Sequence, residues 1–150
     1  MYILVSACLL GLHCRYNEKG ELAPGIRELM EDHCLIPVCP EILGGLPTPR
    51  TPAERMGERV VNRLGEDVTE QYRKGAEEAA HLAKLYGCGI AVLKERSPSC
   101  GSGVIYDGSF TGRKIPGDGV TAARLKEMGV QIFGESEISR LWDALRGKKE

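Results

Sequence analysis

Three cysteines in this chain each follow a short apolar run and sit beside turn-forming residues. Cys8 lies in Ser6-Ala-Cys8-Leu-Leu-Gly11, Cys39 in Pro37-Val-Cys39-Pro40-Glu41, and Cys100 in Ser97-Pro-Ser-Cys100-Gly101. Taken singly, each reads as a packed core, loop or turn residue, because free cysteine is among the most buried residue types. Three of them delivered from three successive strand ends are better explained by one shared metal site, and thiolates favour zinc and iron–sulfur clusters. No pair is spaced Cys-x-x-Cys, so neither a zinc ribbon nor a thioredoxin-type motif follows from local spacing. Structural zinc wants four closed ligands, which Cys14 or His13 could complete. Three thiolates on a cubane cluster would instead leave one iron open. Cys34 and Cys88 are assigned to structure, and Cys14 to neither group.

Other groups at these segments could make such a site reactive. Glu41 projects a carboxylate next to Cys39, where general acid–base chemistry would need it, although an isolated glutamate there also reads as a helix start or loop surface. Ser97 and Ser99 either define a turn or offer a hydroxyl to a substrate or cluster sulfur. Glu95 and Arg96 read as surface or ion-paired groups. Asp118, between Gly117 and Gly119, reads as a helix cap. Gly101, Gly103, Gly117 and Gly119 suit either tight turns or a close backbone approach to a ligand.

The elements that must position these residues alternate between two periods. Tyr2 to Ser6, Leu35 to Val38, Ile90 to Leu93 and Val130 to Phe133 are short apolar runs of buried-strand type. A helix is predicted over Pro24 to His33, with Ile26, Leu29 and Met30 on one face. The strongest helix opens at Asp67-Val-Thr69-Glu, with Thr69 as its cap, packs through Tyr72, Ala76, Ala79, Ala80 and Ala83, and stops at Gly87. Further helices are predicted over Val120 to Met128 and Glu137 to Leu145. Gly44 to Gly57 carries Pro47, Pro49 and Pro52 and reads as loop or extended chain. Val60 to Asn62 and Val68 suggest a small hairpin, as does the stretch around Val104-Ile105-Tyr106 in the otherwise irregular Lys94 to Gly119. The alternation predicts a single α/β domain over residues 1–150, a Rossmann-like three-layer sandwich with a short, mostly parallel sheet of order about 2-1-3-4. Such sheets place ligands beyond the carboxyl ends of their strands, where the strand order switches. All three cysteines fall there.

Composition narrows the function classes. A balance of 20 basic and 21 acidic residues, with no Lys/Arg stripe, gives no nucleic-acid footprint. No apolar stretch approaches the roughly 20 residues of a membrane span. The start, Met-Tyr-Ile-Leu-Val-Ser, lacks a basic region and reads as a strand rather than a signal peptide. A cytoplasmic location is the expectation, and there the six cysteines point to ligands or buried thiols rather than disulfides.

The motifs also carry a resemblance. Ser-Ala-Cys-Leu-Leu-Gly with Cys14-Arg-Tyr, Pro-Val-Cys-Pro-Glu-Ile-Leu-Gly-Gly-Leu-Pro-Thr-Pro-Arg, Lys-Glu-Arg-Ser-Pro-Ser-Cys-Gly-Ser-Gly and Pro-Gly-Asp-Gly-Val-Thr-Ala resemble a bacterial domain-of-unknown-function family that includes the thiouracil desulfidases. The resemblance covers nearly the whole chain. It implies a [4Fe-4S] cluster held by Cys8, Cys39 and Cys100, with the fourth iron left for the sulfur of a small thiolated substrate such as a thiopyrimidine. It places Glu41 and Ser97 as the catalytic acid and serine. The implied activity is a non-redox desulfuration that releases hydrosulfide. Two rivals stand beside it: a zinc-stabilised module that binds small nucleotides, and a cluster-dependent sulfur transferase.

Overall fold

The computed structural model describes residues 1–149. Strand β1 (Tyr2–Ser6) lies at its centre, and Ile3, Leu4 and Val5 are wholly buried. A strand buried on both faces cannot alternate apolar and polar residues, which is why it reads as an unbroken apolar run. A short 3-10 turn (Ala7–Leu9) follows, then helix α1 (Ile26–Asp32), β2 (Cys34–Val38) and the four-residue helix α2 (Pro40–Leu43). Next come β3 (Ala53–Met56), β4 (Arg59–Asn62), the long helix α3 (Thr69–Tyr86) and β5 (Ile90–Leu93). The chain closes through β6 (Val104–Tyr106), β7 (Lys114–Pro116), α4 (Val120–Glu127), β8 (Gln131–Gly134) and α5 (Ile138–Lys149).

The main sheet is parallel, with strand order β2-β1-β5-β8. This is the expected 2-1-3-4 arrangement, and its switch point lies between β1 and β5. Odd and even residues of β1 serve different cores. Ile3 and Val5 join Ile26 and Leu29 of α1 and Leu141 and Leu145 of α5. Leu4 joins Ala79 and Ala83 of α3 and Ala122 and Leu125 of α4. Helices therefore cover both faces, as an all-parallel sheet requires.

Several local expectations change. Met30 is 56% exposed, because α1 buries only the narrower stripe of Ile26 and Leu29. The segment from Gly44 to Gly57 ends in a strand, and β3 pairs antiparallel with β4 from Ala53↔Asn62 to Met56↔Arg59. On its other side β4 makes the expected small hairpin, through an antiparallel Val61↔Asp67 bridge with Val68 N–H to Val60 O and Asn62 N–H to Glu66 O, both at 2.9 Å. Thr69 is the first helical residue rather than the cap. Its hydroxyl accepts from Val60 N–H (2.9 Å), and Asp67 Oδ1 takes Thr69 N–H (2.9 Å). Asp118 does not cap α4 either. Its Oδ1 accepts from Gly103 N–H and Lys126 Nζ, both at 2.8 Å. The first N–H groups of α4 go instead to the carbonyls of Pro98 and Ser99, from Val120 (2.9 Å), Thr121 (2.8 Å) and Ala122 (3.1 Å). The turn that carries Cys100 is thus seated on the start of α4, with the orphan donors of the helix satisfied by it.

Candidate active site

Beyond the carboxyl ends of β1, β2 and β5 the chain encloses a cavity of about 440 Å³. Cys8, Cys39 and Cys100 all line it, and so do Cys14, Glu41 and Ser97. Cys8 lies in the 3-10 turn that continues β1. Cys39 follows β2 and caps α2, and Pro40 begins that helix, where its missing N–H costs nothing. Cys100 sits in a turn closed by Gly101 N–H to Ser97 O (2.9 Å). Within it Ser97 Oγ accepts from Ser99 N–H (3.1 Å) and Cys100 N–H (3.0 Å). Ser97 therefore builds the turn and still lines the cavity. Ser99 is used elsewhere, because its buried hydroxyl pairs with Thr121 Oγ1 at 2.8 Å.

The thiols differ in their surroundings. Cys8 is drawn down to about 7, first by a hydrogen bond from the Cys14 thiol and further by Arg15 and Lys94, against the opposing effect of burial. Cys39 falls to about 6, again chiefly through Cys14, with Ile42 N–H and the Arg50 charge contributing. Cys14 is pushed up, most by Cys39 and next by Cys8. Burial lifts Cys100 to about 12, partly offset by the Ser6 hydroxyl. Cys14 was ambiguous in the sequence, and the fold sets it between two of the proposed ligands. His13 is exposed, whereas Cys34 lies exposed at the start of β2 and Cys88 is buried in the core.

Glu41 is held from two sides. Arg50 forms an ion pair with its Oε2, with Nε at 2.9 Å, and Tyr72 O–H donates to its Oε1 at 2.7 Å. The guanidinium also reaches Cys14 O (2.9 Å), Pro47 O (3.1 Å) and Thr48 Oγ1 (3.1 Å). Burial opposes the Arg50 charge, but Glu41 wins and the arginine is more firmly protonated than usual. The Tyr72 hydroxyl is raised, by burial first and by the Glu41 charge next. The approach of α2 to α3 sets this geometry. A side chain on Gly75 would collide with Pro40 O, and one on Gly44 with Gln71 O. The two backbones touch, and Glu41 lands beside Tyr72.

Arg50 and Tyr72 were not singled out in the sequence. Tyr72 has the spacing of a packing residue, and it does pack, while its hydroxyl does polar work. Arg50 ends a proline-rich stretch, a position with no periodic signal. Glu95 and Arg96 also reach the cavity wall, where Glu95 accepts from Ser136 N–H (2.7 Å) and Ser136 Oγ (2.9 Å).

The donor set suits an anionic, sulfur-rich group. Thiols line the cavity, and so do Arg15, Arg50 and Lys94, of which Arg50 is paired with Glu41 and Lys94 with Glu135 (2.6 Å). Among the described residues, Arg15 Nε is buried there without a hydrogen-bond partner. Among the described residues no three His, Cys, Asp or Glu side chains are gathered tightly enough for a single metal ion. Backbone also crowds the turn, since a Cβ on Gly119 would come within 2.5 Å of the Ser99 carbonyl. Among the described residues no helix is long and apolar enough to cross a membrane.

Comparison with known proteins agrees with this picture. The model of a family described as 2-thiouracil desulfurase matches residues 3–137. The uncharacterized protein YbbK of Bacillus subtilis (strain 168) is 46% identical over 147 residues, spanning 91% of this chain and 97% of its own. Among solved structures, the [4Fe-4S]-dependent thiouracil desulfidase TudS superposes with a TM-score of 0.92 at 46% identity, covering 97% of each chain. The three-layer architecture read from the strand and helix pattern is the architecture of that enzyme.

Proposed function

This chain belongs to the 2-thiouracil desulfurase family, and on that premise we propose that it removes sulfur from a thiopyrimidine at a [4Fe-4S] cluster held by Cys8, Cys39 and Cys100. The observation that carries the reading is the meeting of these thiols in one cavity with a carboxylate fixed by Arg50 and Tyr72. When bound, the cluster supplies a Lewis-acidic iron with an open position for the thiocarbonyl sulfur.

The chain's own groups do the rest. Arg50 and Tyr72 hold the Glu41 carboxylate against the cavity, and it takes a proton from the water that adds at the thiocarbonyl carbon. The Ser97 hydroxyl, whose oxygen already accepts two backbone N–H groups, keeps its own hydrogen to orient substrate or water. Arg15, beside Cys8, offsets part of the negative charge of that thiolate, whereas Arg50 and Lys94 are already paired with Glu41 and Glu135. One water enters for each sulfur lost: the C–S bond breaks, hydrosulfide and a proton leave, and the carbon becomes a carbonyl. No electron is exchanged.

The test is anaerobic reconstitution with iron and sulfide, followed by incubation with 2-thiouracil. A brown chromophore with about four irons and as many labile sulfides per chain, and conversion to uracil with stoichiometric sulfide, are expected. Bound zinc without labile sulfide would point to the nucleotide-binding module instead. A loaded chain that incorporates sulfur into an acceptor without releasing sulfide would point to the transferase.

A further inference from the structure

The hairpin β6–β7 brings an aromatic ring to the cavity whose placement the desulfuration chemistry does not require. Phe110, at the hairpin tip, lines the same cavity as the thiols. Its φ is 59°, a left-handed conformation that is an outlier for a bulky residue and persists only where its surroundings hold it. They do hold it. Glu54 Oε1 on β3 accepts from Gly108 N–H (2.9 Å) and Phe110 N–H (3.1 Å). The Arg63 guanidinium stands over the ring, 5.8 Å from its centroid. Gly108 leaves no room for a side chain against Met56 Cγ, so the tip is seated directly on β3. Glu54 and Arg63 line the cavity as well.

We propose that Phe110 determines substrate class by stacking on the face of a flat heteroaromatic ring, and that Glu54 is the residue that positions it. The proposal rests on the desulfuration reading for the identity of the ligand and adds to it a basis for selectivity. A thioamide carbon is the same reacting group in a flat pyrimidine and in a puckered ring. Iron and acid alone do not tell the two apart. An aromatic face does, because stacking needs planar contact over the whole ring.

The experiment compares 2-thiouracil with 5,6-dihydro-2-thiouracil, which keeps the thioamide but loses ring planarity. Binding to the cluster-loaded chain is measured by calorimetry, alongside turnover. Wild-type protein is expected to prefer the flat ring, and Phe110→Leu to shrink that preference about ten-fold, through loss of affinity for 2-thiouracil. KM should rise by more than kcat falls. Phe110→Tyr, which keeps the ring, should hold the preference within about two-fold. Glu54→Gln, which weakens the clamp on the tip, should lose part of the preference with the same KM-weighted pattern. Equal losses for both rings in Phe110→Leu and Phe110→Tyr, or an unchanged preference, would overturn the proposal. Calorimetry with uracil keeps the two readings apart. Wild-type binding that Phe110→Leu weakens supports the stacking wall even if 2-thiouracil is not turned over. Turnover without any preference for the flat ring sinks the wall and leaves the desulfuration standing.

Discussion

Replacing Arg50 with methionine removes the cation from Glu41 while keeping much of the arginine's apolar bulk. The side chains of the pair are 6% and 14% exposed, so water cannot readily replace the lost partner. Removing one member of a buried pair costs about 3–5 kcal/mol, mostly as the penalty of the charge left behind. Tyr72 still donates to Oε1 at 2.7 Å, which argues for the lower end, about 3 kcal/mol. In a chain of this size each kcal/mol moves Tm by about 2–4 °C, so R50M should melt about 6–12 °C below wild type. E41Q, which strands the arginine instead, should fall similarly. The double variant R50M/E41Q carries no stranded charge, and its loss should be well short of the sum, with a coupling of about 2–3 kcal/mol. Urea denaturation of the four proteins without cluster closes the cycle. An R50M melt within about 2 °C of wild type, or additive single losses, would show that the carboxylate does not depend on this arginine and would falsify the account of how the acid is held.

Three other outcomes are expected. After anaerobic reconstitution, Cys14→Ala should keep its iron, sulfide and brown colour, whereas alanine at Cys8, Cys39 or Cys100 should lose most of them; loss of iron in Cys14→Ala would move that residue into the ligand set. Gly75→Ala should destabilise by about 1–3 kcal/mol through overpacking and should lower turnover as well, since Pro40 must retreat and carry Glu41 with it; a destabilised variant with full activity would separate the helix contact from the site. Asp67 is held below the usual carboxylate range by the Thr69 hydroxyl and the Thr69 N–H, so its contribution is present above the unfolded value near 4 and is lost as pH falls through the folded one; Asp67→Asn should flatten the acid limb of a Tm–pH curve, and an unchanged limb would count against it.

The parts of the fold that show in the sequence are those with a period or a buried run. The central strands β1 and β5 read as apolar runs because both of their faces are covered, and α3 shows its alanine stripe and its Gly87 stop. The gathering of Cys8, Cys39 and Cys100 follows from topology, since strand ends of a parallel sheet converge. What does not show depends on contacts between distant segments. Helix α2 has four residues, too few for any periodicity. Arg50 finds Glu41 and Cys14 only after the proline-rich segment has folded back. Thr69 and Asp118 have the composition of caps, but each is recruited by a neighbouring strand or turn. Cys14 lies in a loop whose path no local pattern fixes.

Contact of α2 with α3 through bare backbone, at Gly44 and Gly75, also limits how this enzyme can diversify. Where side chains fill an interface, successive small substitutions can shift one helix past another by fractions of an ångström. Here there is no side chain to trim, and any addition pushes the helices apart in one coarse step. The acid is therefore locked in place against gradual drift. The hairpin tip, joined to the rest by a few hydrogen bonds and one ring, is the part that can be rebuilt residue by residue. New substrate preferences in this lineage should arise there, with the reacting end unaltered.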